Sequence, residues 1–214
     1  MEQINKLIER YPVLACCKEE IEEACRRIIS CYEADGTVLL CGNGGSCADA
    51  QHIAGELMKG FCKKRPLSDA SREKLVSVDS ELGSILADKL QTPLRAICLD
   101  GLPSLSTAFA NDVDPLLTFA QQAFAYARKH DVLVGISTSG NAKNILAAAV
   151  AAKAAGAYTI GLSGITGGEM NDVFDLVIRV PETETYRVQE LHLPVYHAIC
   201  LTVEDAFFNA FFNH

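Results

Sequence analysis

Short apolar runs alternate with amphipathic stretches along most of this chain. "TVLLC" at 37–41, "AICLD" at 96–100, "DVLVGIS" at 131–137, "YTIGLSG" at 158–164 and "VFDLVIRV" at 173–180 read as five buried strands. Helical patterns occupy 46–60, 104–128, 142–155 and 186–212. An N-terminal segment, 1–34, has apolar positions at Ile4, Leu7 and Ile8, then at Ile21, Cys25, Ile28 and Ile29, the spacing of one or two helices. Buried strands separated by helices predict an α/β fold: a doubly wound, five-stranded parallel sheet flanked by helices. The 214 residues suit a single domain.

One segment breaks the rhythm. Residues 62–94 begin with the basic "CKKRP" and then carry a helix-like stripe of Leu82, Ile85, Leu86 and Leu90. That is too long and too patterned for a bare loop, so an inserted helical hairpin or flap is expected there. Ile4, Leu7, Ile8 and Leu14 cannot all reach one small core. They are expected to pack on another subunit in a closed homotetramer.

Composition narrows the partners. The net charge of -8 argues against nucleic acid or an anionic membrane as the main partner. Nine cysteines without a CxxC pair read as free thiols in a reducing compartment. The charged start "MEQINKLIERYPVL" has no signal-like apolar core, and no run approaches the roughly 20 residues of a membrane span. A cytoplasmic protein with no membrane partner is expected.

Candidate chemistry collects at the carboxyl ends of the strands, where open α/β sheets bind ligands. Ser137-Thr138-Ser139-Gly140-Asn141 follows a strand and precedes a helix. Hydroxyls and free N–H groups at a helix N-terminus suit a phosphate, although a single hydroxyl there is also an ordinary cap. Gly42-Asn43-Gly44-Gly45-Ser46 brings backbone N–H groups near a ligand, with Ser46 placed to cap the next helix. Neither loop has Walker A or dinucleotide spacing. A third small-residue end is Ser163-Gly164 with Gly167-Gly168. His52 and Glu56 are four residues apart, hence on one helix face, a spacing that serves a metal, an acid/base pair or a plain ion pair. "TETYRVQELHLPVYH" adds Gln189, His192 and His197.

"CGNGGSCADAQHIAGEL", "AND" at 110–112, "DVLVGISTSGNAKNILAA", "GLSGITGGEM" and "VQELHLPVYH", in this order, resemble the sugar isomerase (SIS) domain family. The likeness covers nearly the whole chain apart from about 66–94. It implies a flavodoxin-like sheet and a homotetramer with sites at subunit interfaces. It also implies aldose–ketose isomerisation of a sugar phosphate through an enediol, most closely as in members acting on sedoheptulose 7-phosphate. Phosphate would sit on Ser137, Thr138, Ser139 and Asn141. Asn43, Gly44, Ser46, Asp112, Thr185 and Gln189 would contact substrate, and Glu56 and His197 would be the acid/base pair. His52, Glu56, Gln189 and His197 would hold a divalent metal, zinc in some members, with His192 as a fallback. Other members are non-catalytic, sensing a sugar phosphate or scaffolding a replication initiator, and that is the alternative reading.

Three departures from the family pattern stand out. A phosphate-loop serine is Ala142 here, leaving Asn141, Asn144 or a backbone N–H to compensate. The motif after the glutamate reads Lys59-Gly60-Phe61, without the usual arginine. Lys63, Lys64 and Arg65 follow close by. A straight helix would also put Gln189 and His197 about 12 Å apart, from a rise of about 1.5 Å per residue, so one ion reaches both only if the chain bends near Pro194.

Overall fold

The computed structural model describes residues 1–208. Five parallel strands form one sheet: β1 (Val38–Gly42), β2 (Ala96–Cys98), β3 (Val132–Ile136), β4 (Tyr158–Ser163) and β5 (Leu176–Arg179), in the order β2-β1-β3-β4-β5. β1 and β3 are buried at every position, which is why they read as continuous apolar runs. Their register pairs Val38 with Val132 through to Gly42 with Ile136.

Strand alternation sorts the core into two layers. Val38, Leu40, Val134 and Ile136 face α1 (Glu2–Arg10), α2 (Lys18–Glu33), α3 (Gly45–Met58) and α10 (Thr185–Phe207). Leu39, Cys41 and Leu133 face α7 (Thr118–Tyr126), α8 (Lys143–Ala154) and α9 (Met170–Val173). The helix after β1 therefore covers one face and the helix after β3 the other. The carboxyl ends of these neighbouring strands open a crevice at the topological switch point.

The inserted segment is a helical hairpin, α4 (Asp69–Val78) and α5 (Ser80–Lys89). Ser68 Oγ accepts Ser71 N at 3.2 Å to start α4, and the Asp79 carboxylate accepts Glu81 N and Leu82 N to start α5. Thr92 N to Arg65 O, at 2.7 Å, closes the base.

Several expectations need correction. The helix expected over 104–128 is two, α6 (Pro103–Asp112) and α7, separated by a 3-10 turn at Pro115–Leu117. The cause is local: the Asp114 carboxylate accepts Leu116 N at 2.7 Å, and Pro115 has no N–H for a continuing helix. β2 and β5 are shorter than expected, and Met170–Val173 is helical. α10 runs unbroken through Pro194, whose missing N–H frees only the carbonyl of exposed Glu190. The tail of the helix expected to residue 212 lies outside the described residues.

The assembly argument from the N-terminus also changes. Ile4, Leu7 and Leu14 are buried within this chain, in the cluster that contains Val195, Ile199 and Val203 of α10, with Ile8 partly buried against it. They complete the core of their own subunit and cannot serve as an interface.

Candidate active site

The glycine loop leaves β1 and turns directly into α3. Gly44, at φ 57°, is the N-cap residue, and Ser46 N and Cys47 N bond to the carbonyls of Asn43 and Gly44. Ser46 is buried inside the first turn and makes no cap bond, contrary to its expected role. The hydroxyl loop leaves β3. α8 begins at Lys143 with Ala142 as its N-cap and no side-chain cap, so Ser137, Thr138 and Ser139 do not cap it. Ser137 is buried and Ser139 exposed. Ser139 Oγ accepts Asn141 N at 3.2 Å, and Asn141 Oδ1 accepts Glu169 N at 2.9 Å, which ties this loop to the third one.

The two main loops are stitched across the crevice. Asn43 and Asn144 exchange amide hydrogen bonds of 3.0 and 2.9 Å. Asn144 is thus committed to Asn43 and does not stand in for the hydroxyl absent at Ala142.

α3 and α10 run side by side and bring three of the singled-out residues together. His52 Nε2 lies 3.3 Å from Glu56 Oε1, and the rings of His52 and His197 stand edge to face with centroids 5.0 Å apart. His52 Nδ1 is 3.0 Å from Tyr196 Oη, whose O–H donates to Asp49 Oδ1 at 3.2 Å. If the phenol donates to Asp49, it accepts from His52 Nδ1–H, which fixes the orientation of the ring. His197 Nε2 is buried without a partner among the described residues. Burial first, then neighbouring His52, lowers the pKa of His197, against a smaller opposing pull from Glu56. Its neutral form is thereby favoured.

The other residues fall elsewhere. Gln189 packs on Gly45, where an added Cβ would come within 2.6 Å of its Nε2. Gly45 corresponds to the first turn of α3, so Gln189 stands about two turns away from His52 along that helix. Thr185 is exposed at the start of α10. Asp112 is exposed at the end of α6, accepting a bond from Asn111. His192 is fully buried, with Nε2 3.3 Å from the Ser163 carbonyl, so it is no fallback ligand. Lys59 Nζ is 3.3 Å from Glu56 Oε2 and is the basic group beside the carboxylate, whereas Arg65 is buried and turned away.

Two imidazoles and a carboxylate suit a zinc-type cation chemically. Gln189, however, is held at Gly45, and among the described residues no group of three His, Cys, Asp or Glu is placed to hold an ion. The four-ligand site does not fit this arrangement.

Burial of His192 has a consequence for stability. Desolvation lowers its pKa to about 4, partly offset by the Ser163 carbonyl. Between about pH 6.5 and 4 the unfolded chain binds this proton and the folded chain does not, so stability falls as pH falls, by at most about 3 kcal/mol. Urea unfolding at several pH values is expected to give a flatter acid limb for His192→Leu than for the wild type. An unchanged slope would contradict this.

These loops and helices form an α/β domain with its ligand crevice at the switch point. The SIS domain profile matches residues 1–72 and 86–164, more than half of the chain. The chain belongs to the SIS domain family and, within it, to the phosphoheptose isomerases. The phosphoheptose isomerase of Rhodospirillum rubrum is 39% identical over 193 residues, covering 90% of this chain and 89% of that one. The solved phosphoheptose isomerase of Neisseria gonorrhoeae superposes with a TM-score of 0.72 at 32% identity, covering 95% and 94% of the two chains. That of Francisella tularensis gives 0.75 at 28% identity, covering 95% and 97%. This protein is accordingly a sugar-phosphate isomerase, and the non-catalytic reading gives way. Among the described residues no helix is long and apolar enough to cross a membrane.

Proposed function

We propose that the enzyme interconverts sedoheptulose 7-phosphate and D-glycero-D-manno-heptose 7-phosphate, with Glu56 as the base and His197 as the acid. One observation carries the reading: the unpartnered, buried His197 Nε2 stands beside the His52–Glu56 pair where α10 packs on α3.

The phosphate binds on Ser137, Thr138 and Ser139 and the start of α8, with backbone N–H groups and the helix dipole favouring an anion. That grip is remote from the reacting carbons and orients them. Glu56 removes the C1 proton of the ketose. Neutral His197 donates to the C2 oxygen as negative charge develops there; Glu56 then returns its proton to C2 while the C1 hydroxyl gives its proton back to His197, leaving the C1 carbonyl of the aldose. Lys59, beside Glu56, adds positive charge near the forming enediolate. Asn43, Gly44, Ser46 and Gln189 border the crevice as substrate contacts. Thr185, one turn before Gln189 on α10, and exposed Asp112 at the end of α6 are the remaining proposed contacts.

A divalent metal, zinc in the sequence reading, finds two ready donors in His52 Nε2 and Glu56 Oε1; the remaining donors do not join them, and no step above runs through it. We also propose a single domain and a cytoplasmic homotetramer. Its interfaces would use apolar side chains that remain exposed, such as Leu82 and Ile85 on α5 and Leu116 before α7. Purified enzyme is expected to convert sedoheptulose 7-phosphate to an aldose and to ignore sedoheptulose. Equal turnover of both sugars would contradict the phosphate assignment.

A further inference from the structure

Between α3 and the hairpin, loop 59–65 is fastened by an ion pair that the chemistry above leaves unused. Arg65 and Glu204 are each 1% exposed. Arg65 Nε donates to Glu204 Oε1 at 2.9 Å, and Nη2 lies 2.8 Å from the same oxygen. The guanidinium also donates to two carbonyls in the last turn of α3, Leu57 at 2.6 Å and Glu56 at 3.1 Å. Carbonyls in a last turn lack helical partners, and the negative end of the dipole favours a cation there. Glu204 in turn accepts Phe61 N and Cys62 N, both at 2.8 Å.

Both ends of this network lead to the reacting pair. Glu56 sits on the turn that Arg65 caps. The Phe61 ring, held through its own N–H, packs against the His197 imidazole with centroids 5.4 Å apart. Glu204 follows His197 by seven residues on α10, about two turns on the same face. A buried ion pair is poor value as a source of stability, since apolar side chains of the same volume often do as well. What apolar side chains cannot do is bind the end of α3, the backbone of the loop and α10 at once.

We propose that Arg65 and Glu204 are positioning residues, a buried clasp that fixes the spacing of Glu56 on α3 and His197 on α10. Neither touches substrate. The inference rests on the assignment of Glu56 and His197 as the acid/base pair. The clasp lies at the C-terminal end of α3 and makes no bond to β3, α8 or the loop between them, so its loss should disturb chemistry more than binding.

The test uses full-length Arg65→Lys and Glu204→Gln, with Lys63→Met as a control that breaks only the neighbouring 2.6 Å bridge to Asp205. Folding is checked by circular dichroism and thermal unfolding. In folded protein, kcat is expected to fall on the order of 10- to 100-fold while KM stays within about threefold, the signature of misplaced reacting groups. Arg65→Lys keeps the charge but not the fork of donors, so it should be impaired even where stability is retained. Lys63→Met should keep both parameters within about twofold. Wild-type kcat in either clasp variant would overturn the proposal, as would a parallel loss of folding and activity in both, which would assign the pair to stability alone. Glu56→Gln assayed alongside separates the two levels: if it keeps wild-type turnover, the acid/base assignment has failed, not merely the clasp.

Discussion

Glu56→Gln is expected to lower kcat by roughly 10²- to 10⁴-fold, the usual contribution of a positioned acid or base, with KM nearly unchanged. The amide keeps the shape of the side chain and can still meet His52 and Lys59, which lie 3.3 Å from its two carboxylate oxygens. It cannot accept a carbon proton. The phosphate contacts on the β3–α8 loop are untouched, so substrate should still bind. The contrast between kcat and KM matters more than the size of the fall, because general damage to the crevice would move both. Turnover within a few-fold of wild type would remove Glu56 from the reaction.

Gly140→Ala is the second large effect. Gly140 has φ 69°, a conformation that costs an L-residue about 1–2 kcal/mol. A Cβ there would also run into the backbone carbonyl of Gly167. Neither side can yield easily, since Met170 N bonds to the Gly140 carbonyl and Gly164 N to that of Thr138. The total destabilisation is expected to be about 3 kcal/mol, which for a chain of this size lowers Tm by roughly 6–12 °C. The distortion moves Ser139 and Asn141, so KM for the phosphorylated sugar should rise more than kcat falls. A variant with unchanged Tm and KM would show that this loop tolerates a side chain and is no rigid phosphate cradle.

The sheet was legible because both faces of its central strands are covered, which turns β1 and β3 into uninterrupted apolar runs. The hairpin was legible from a polar start and a leucine stripe, although its helices bury little beyond Gly83 and Ala87. The break after α6 was signalled by Asp114-Pro115 and outvoted by the apolar pattern on either side. The fate of Ile4, Leu7 and Leu14 was not legible, since no local pattern says whether an amphipathic helix covers its own core or a neighbour's. At the site, the four-residue spacing of His52 and Glu56 was informative because helix geometry alone makes them neighbours. The bonds that organise the rest join residues far apart in the chain: Asn43 to Asn144, Asp49 to Tyr196 and Arg65 to Glu204. Such pairings depend on which helices the sheet lays side by side, and the side chains themselves carry no mark of it. Gln189 illustrates the converse, since its placement in the metal set came from the family likeness while its contact with Gly45 comes from the packing of α10 on α3.

The central claim is that a carbon-bound proton is removed and returned through an enediol. Incubation of the enzyme with sedoheptulose 7-phosphate in D2O, read by proton NMR of the aldose product, tests it most directly. The account predicts deuterium at C2 of the aldose, because a proton held on the partly exposed Glu56 carboxylate exchanges with solvent, and no such product with Glu56→Gln. An aldose formed at full rate with only the substrate's own hydrogen at C2, as a direct hydride shift would give, would contradict it.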